Sequence, residues 1–353
     1  MKNITLGVLL SCLGLLATGQ ANEGSGGQDT SFADDQQAEI LYNQSIDLYE
    51  DGHLDSAVIY LNKSLIRKPG FKQALYNRGQ LKYELGDYAG ALADYNAAMA
   101  IERTDKVYFG RGLARFQLGD YPGAIEDFSE AVKLNPNFAE AYYYRGGTKF
   151  KQEEYQLAVD DYTRAISVKN DYAYAYNDRG STYWKLGDLD HAKEDFYKAT
   201  LNNPTLAFAF NNLGGVNYEL GKYNTAVTDY TAAVKVDTGY YIAFNNRGIA
   251  QIALGKYAEA ISDFSTVLKI RPLYAPAYNN RGIAHYHIED YHNAIADYDE
   301  FLKLVPEDGE AYLNRGISKE MMRDPKGACK DWEKALELGI EQAAAYVKLC
   351  DND

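Results

Sequence analysis

Residues 139–172 read AEAYYYRGGTKFKQEEYQLAVDDYTRAISVKNDY, and residues 173–206 read AYAYNDRGSTYWKLGDLDHAKEDFYKATLNNPTL. Laid one over the other, these 34-residue stretches match Arg145 with Arg179, Gly146 with Gly180, Ala158 with Ala192 and Asp161 with Asp195. A fixed period of this length marks an array of one repeated supersecondary unit.

The same frame extends in both directions. Ala57, Ala91, Ala124, Ala158, Ala192, Ala226, Ala260, Ala294 and Ala328 recur every 34 residues, apart from one 33-residue step between Ala91 and Ala124. Twelve residues before each Ala stands a Gly, from Gly79 to Gly316, with only Ser45 of the first unit departing. A small residue there lets two helix backbones approach closely. A large apolar residue lies four before the Gly (Tyr108, Tyr142, Tyr176) and another four after the Ala (Phe128, Phe196, Trp332). Spacings of three and four predict two amphipathic helices per unit. Between them, Gly-Asp or Gly-Lys followed by Tyr, as in Gly86-Asp87-Tyr88 and Gly255-Lys256-Tyr257, ends one helix and turns the chain. Pro69, Pro136, Pro204, Pro272 and Pro306 close five of the units.

This joint pattern resembles the tetratricopeptide repeat over residues 38–342, with units at 38–71, 72–104, 105–138, 139–172, 173–206, 207–240, 241–274, 275–308 and 309–342. The resemblance implies an all-α fold, an α-solenoid of nine stacked helix-turn-helix repeats. It further implies a right-handed superhelix whose concave face is built mainly from the first helix of each pair. Residues 343–353 are expected to form a capping helix and tail, because a terminal repeat needs its outer face covered.

Composition agrees with one repetitive array. At 353 residues the chain is too long for a single compact core, and its 46% hydrophobic content suffices to fold most of it. Against 50 Asp and Glu there are 36 Lys and Arg, without a basic cluster, which argues against a nucleic-acid partner. The N-terminus carries Met1-Lys2 before an apolar stretch from Ile4 to Ala17 and a small-residue run to Ala21, the pattern of a signal peptide over residues 1–21. Export to the periplasm, or secretion, is the expected localisation. Cys12 after Leu9-Leu10-Ser11 faintly resembles a lipoprotein box, but Leu13, Leu15 and Leu16 continue the apolar run and argue against it. Residues 22–37, rich in Gly, Ser and Asp, are expected to be a flexible linker. No membrane span is expected after signal cleavage.

One departure from the family pattern concerns charge. Where Leu usually precedes the Gly, this chain has Arg78, Arg111, Arg145, Arg179, Arg247, Arg281 and Arg315, and Asp94 to Asp331 recur one residue before the second-helix aromatic. Pairing within a unit leaves one mismatch, Leu213 with Asp229, whereas pairing with the next unit leaves two. Salt bridges inside each repeat are expected, such as Arg145 with Asp161, with a structural rather than a functional role. Cys329 and Cys350 remain in the mature chain, on the last repeat and its cap, either as a disulfide or as two buried thiols.

Nothing in the sequence brings unlike catalytic groups together, so no catalytic residue, cofactor or metal site is expected, and the chain is read as a non-enzyme. His285, His287 and His292 do not share a helix face in a way that clamps a metal. On the first helices, Tyr143 with Phe150, Asn177 with Trp184, Asn211 with Tyr218, Asn245 with Ile252 and Asn279 with Tyr286 share the expected concave side. Asn212, Asn246, Asn280 and Asn314 add a second amide row, suited to gripping an extended main chain because an amide both donates and accepts. Such Asn residues can equally serve only to cap or solvate the helix start. The family's clamp for chaperone tails uses Lys and Asn where this chain has Tyr76, Phe109, Tyr143, Gln80, Leu113 and Gly147, which disfavours that role. The expected function is a protein- or peptide-binding scaffold of the cell envelope. The alternative is a carbohydrate- or peptidoglycan-binding accessory protein, since stacked Tyr and Trp beside amides also suit sugar rings.

Overall fold

A computed structural model of the chain describes residues 29–350. The signal peptide expected over 1–21, residues 22–28 of the expected linker and the tail after Cys350 lie outside the described residues. Among these residues there are nineteen α-helices and no strand. The first helices of the nine repeats are α1 (Asp29–Glu50), α3 (Lys72–Glu84), α5 (Asp105–Gln117), α7 (Ala139–Lys151), α9 (Ala173–Lys185), α11 (Ala207–Glu219), α13 (Tyr241–Ala253), α15 (Ala275–His287) and α17 (Gly309–Met321). Their partners are α2 (Leu54–Arg67), α4 (Tyr88–Ile101), α6 (Tyr121–Leu134), α8 (Tyr155–Val168), α10 (Leu189–Asn202), α12 (Tyr223–Val236), α14 (Tyr257–Ile270), α16 (Tyr291–Leu304) and α18 (Pro325–Glu337). The short α19 (Ala343–Cys350) follows. Two compact units divide the chain, one ending at Arg103 with the first two repeats and one beginning at Thr104 with the other seven.

The turn inside each repeat follows from two residues. Gly86 has φ +84, its N–H bonds the carbonyl of Tyr83, and the N–H of Asp87 bonds that of Lys82, so the last carbonyls of α3 are satisfied. The Asp87 carboxylate then accepts from the Gly90 N–H at 2.9 Å and caps α4. Asp120, Asp188, Asp290 and Asp324 cap their helices in the same way. Glu153, Glu289 and Arg323 hold the left-handed turn position without being glycine.

Packing within a repeat rests on the Gly of the first helix and the aromatic of the second. The ring of Phe264 is fully buried and stands where a Cβ at Gly248 would come within 2.7 Å of it. Phe128, Phe196 and Tyr298 are buried against Gly112, Gly180 and Gly282 in the same way. Successive repeats of the second unit share cores: Ala260, Phe264, Val267 and Leu268 close on Ala277 and Ala284 of the following repeat. At the C-terminal end Trp332 packs on Tyr346 of α19 with ring centroids 5.0 Å apart, and Cys329 is disulfide-bonded to Cys350.

The expected linker needs correcting at one end. Helix α1 begins at Asp29, so residues 29–37 are helical and not a tether. Asp34 and Asp35 pair with Arg67, the last residue of α2, and Lys68 just after it, at 3.0 and 3.3 Å, and Ser64 donates to the Ala38 carbonyl at 2.7 Å. Asp29, Asp34 and Asp35 stand near the start of the helix, where acidic residues suit its dipole, Ala33, Gln36 and Gln37 are good helix formers, and α2 supplies the packing partner.

Candidate functional site

In the second unit consecutive first helices touch directly, α7 with α9, α9 with α11, α11 with α13 and α13 with α15, and no contact of that extent joins consecutive second helices. The first helices therefore form the inner side of this unit. Four positions of each repeat lie along it: three and two residues before the Gly, and one and four after it.

The amides expected to line this side are bonded to one another. Asn212 donates through Nδ2 to Asn177 Oδ1 at 3.1 Å, Asn246 to Asn211 at 3.0 Å, and Asn280 to Asn245 at 3.4 Å, each across a repeat boundary. Within repeats, Asn211 reaches Asn212 and Asn245 reaches Asn246 at 3.5 Å. The two expected rows are thus one ladder running through repeats 5 to 8. Its inner members Asn177, Asn211 and Asn245 are buried, whereas Asn212, Asn246, Asn279 and Asn280 are half-buried. An amide nitrogen has two hydrogens, so Asn212 and Asn246 each keep one N–H beyond the rung they donate.

At its N-terminal end the ladder changes chemistry. Asp178 stands in the row of Asn212, accepts from the Tyr143 hydroxyl at 2.7 Å and from Asn177 Nδ2 at 3.0 Å, and is half-buried. Burial holds its carboxyl above the usual carboxylate range, partly offset by those two bonds. Burial, with Asp178 beside it, also pushes the Tyr143 hydroxyl well up. Tyr143 does not line an open groove as expected. It is buried between Tyr162 and Tyr172, at ring separations of 5.8 and 5.1 Å, because α8 and the closing residue of its own repeat cover its ring.

The aromatic row four after the Gly remains half-buried. Phe150, Tyr218 and Tyr286 each meet the turn tyrosine of their own repeat, Tyr155, Tyr223 and Tyr291, at 5.3, 5.2 and 5.5 Å. Trp184 differs: its ring lies edge-on to Phe196, Nε1 donates to Glu219 of the next repeat at 2.9 Å, and Cη2 fills the space a Cβ at Gly215 would need.

On the other side of the first helices, seven arginines meet the carboxylates of their own repeats. Arg145 donates through Nε and Nη2 to both oxygens of Asp161, at 2.9 and 2.6 Å. Arg78, Arg111, Arg179, Arg247, Arg281 and Arg315 do the same with Asp94, Asp127, Asp195, Asp263, Asp297 and Asp331. Sequence reasoning missed two further partners. The free Nη1 reaches back to the preceding repeat, Arg145 to Ser129 at 3.0 Å, Arg179 to Thr163 at 2.8 Å and Arg315 to Asp299 at 2.7 Å. A second cation three residues after the Gly also reaches the carboxylate, Lys149 to Asp161 at 2.8 Å and Lys319 to Asp331 at 2.7 Å. Both were visible as polar residues recurring in the frame, at the positions of Ser129 and Lys149. In the sixth repeat Leu213 replaces the Arg and Asn217 the cation, so Asp229 has one hydrogen bond, from Asn217 at 2.7 Å, and burial pushes its carboxyl up to about 6. Among the described residues no group of His, Cys, Asp and Glu is placed to hold a metal ion, and no helix is long and apolar enough to cross a membrane.

Comparison with known proteins agrees with this architecture. A family model described as "Tetratricopeptide repeat" matches residues 42–105, 211–275, 245–309 and 279–342, over half of the chain, a second of the same description matches 173–206, and one described as "TPR repeat" matches 112–152 and 148–187. No curated protein matches the chain. Among solved structures, the C-terminal part of a TPR repeat-containing protein from Cytophaga hutchinsonii is similar at 20% identity and TM-score 0.57, covering 68% of this chain and 98% of that one. A tetratricopeptide repeat protein from Parabacteroides merdae is similar at 22% identity and TM-score 0.51, covering 70% and 98%. Pseudomonas aeruginosa pilF is similar at 19% identity and TM-score 0.51, covering 61% and 96%. At these identities the likeness concerns the fold alone. With its period, its helical hairpins and these matches, the chain belongs to the tetratricopeptide-repeat family, whose fold suggests a scaffold for protein or peptide partners.

Proposed function

We propose that this protein is a non-catalytic scaffold of the periplasm or cell envelope that binds an extended polypeptide along the inner side of repeats 4 to 8. The observation that carries this reading is the half-buried amide ladder, whose outer members Asn212 and Asn246 keep an N–H each at a spacing set by the repeat. A main chain passing over them finds donors and acceptors that need no particular side chain. The flanking half-buried aromatics supply apolar area, so affinity arises from several modest contacts.

The N-terminal apolar stretch with its small-residue end supports export, and the Cys329–Cys350 bond suits an oxidising compartment. Along the groove Asp178 and the Tyr143 hydroxyl are bonded to each other, Tyr143 is buried, and no nucleophile and base are paired among the described residues, which supports binding over catalysis. A glycan partner is the weaker reading, because the Trp184 ring that would stack on a sugar packs on Gly215 and Phe196 and is tied to Glu219.

An array of random, unstructured decapeptides tests the proposal. The protein with residues 1–21 removed is expected to retain a defined subset, and the Asn212→Ala, Asn246→Ala variant to lose it while keeping its helical circular dichroism. Retention of no peptide, or identical retention by the variant, overturns the reading. Glycan binding that disappears in Trp184→Ala would instead establish the carbohydrate alternative.

A further inference from the structure

The inner side of repeats 4 to 8 offers four positions in each of five repeats, and Asp178 is the one charged residue among them. The other members of its row in repeats 6 to 8 are Asn212, Asn246 and Asn280, so an amide satisfies the fold at this place. The carboxylate brings a full negative charge that the ladder does not require.

Among the described residues that charge meets no counter-ion. Both of its hydrogen bonds come from neutral donors, the Tyr143 hydroxyl and the Asn177 amide, and no described lysine, arginine or histidine pairs with it. The contrast with the buried aspartates of the opposite side is direct, since Asp161 is met by both Arg145 and Lys149. An ionised carboxylate partly removed from water and held only by neutral donors carries an uncompensated desolvation cost, which an arriving cation relieves. Its surroundings suit a cation too. The rings of Tyr143, Tyr172 and Tyr162 pack together beside it, and a low-dielectric aromatic wall strengthens a charge-assisted hydrogen bond. At longer range the chain carries a net charge of -14, which draws a basic segment towards it.

We propose that Asp178 is the register anchor of the groove: it pairs with one cationic side chain, the ammonium of a lysine or the guanidinium of an arginine, carried by the extended polypeptide that lies over the amide ladder. The inference rests on the polypeptide-binding reading and adds the chemistry of the partner. Amide rungs repeat every 34 residues of this chain and are alike, so they hold a backbone without choosing which residue lies over which rung. A single charge at one end of the ladder breaks that equivalence, and the partner's basic residue then sets the frame for the rest. Cationic partners at other registers meet neutral amides and gain nothing comparable.

The test uses decapeptide arrays in which each position in turn is fixed as one amino acid and the others are mixed. The protein is expected to enrich Lys and Arg at one position, and Asp178→Asn to lose that enrichment while still retaining peptides through the apolar positions. Replacing the basic residue of a selected peptide by norleucine is expected to weaken binding to the native protein by about tenfold or more and to leave binding to Asp178→Asn nearly unchanged, measured by fluorescence anisotropy. Retained peptides without a basic preference, or the same preference in Asp178→Asn, sink the anchor and leave the groove reading standing. Retention of no peptide at all sinks both. Should Asp178→Asn fail to fold, the norleucine substitution alone decides, since an equal affinity of both peptides for the native protein refutes the pairing.

Discussion

Asp161 and Asp229 occupy the same place in their repeats, one residue before the second-helix aromatic, but Asp161 is buried and Asp229 half-buried, and different groups reach them. Asp161 receives a two-pronged Arg145 and Lys149, while Asp229 receives one amide. Arg145→Met leaves Asp161 with Lys149 alone and is expected to cost about 2–4 kcal/mol, because a buried charge is then half-compensated. The Arg145→Met, Asp161→Leu double change should cost less than the sum of its singles by at least about 1 kcal/mol, read from urea unfolding. Strict additivity would show that the two side chains are not coupled. For Asp229 the sign of the pH effect follows from its raised value. Its contribution to stability is present below the ordinary value of 3.8 and is lost as pH rises through about 6. Asp229→Asn is therefore expected to change little near pH 4 and to stabilise by about 1–2 kcal/mol near pH 8, allowing for solvent screening of a half-buried group. An effect of equal size at both pH values would contradict the assignment. The intra-repeat pairing was readable from the sequence because Arg and Asp recur in step. The back-reach to Ser129 and the second cation Lys149 were not, since polar residues recur on solvated faces too and periodicity alone does not separate the two cases.

At the level of the helical hairpin, the Gly of the first helix and the aromatic of the second form one unit. A methyl group at Gly248 would come within 2.7 Å of the fully buried Phe264 ring, which has no space to retreat. Gly248→Ala is expected to destabilise by about 1–3 kcal/mol despite the higher helix propensity of Ala. Gly70→Ala, with nothing within 4 Å of the new atom, should be within about 0.5 kcal/mol of the native protein. Thermal unfolding of the two variants side by side checks the contrast, and equal effects would show that helix approach is not limiting. Helix pairs and their turns were legible in the sequence to within a few residues because apolar spacing, Gly and Asp are local signals. The helical residues 29–37 were not, because their stability draws on ion pairs with Arg67 and Lys68, some thirty residues away in the chain.

Across the second unit, stability is expected to be a sum of hairpins and the joints between neighbours, as in other one-dimensional arrays. The asparagine ladder is one such joint. Asn245→Ala removes the acceptor of Asn280 and a contact to Asn246, and should cost about 1–2 kcal/mol. Amide hydrogen exchange should then rise in repeats 7 and 8 and remain as in the native protein in repeat 4. A uniform rise over the whole unit would mean that these repeats unfold as one block. The amino-acid sequence by itself determined the period, the helical hairpins, the small-against-large packing inside each and the intra-repeat aspartate of each arginine, since all of these repeat within one 34-residue frame. Only the tertiary structure decided that Tyr143 is covered, that the two amide rows are one bonded ladder, that Trp184 leans on Gly215, and that Asp178 meets only neutral donors among the described residues. The reason is geometric. Helical periodicity tells which side chains share a face, but whether that face meets water or the adjacent repeat depends on how closely neighbouring first helices approach, and that distance is set jointly by side chains of different repeats.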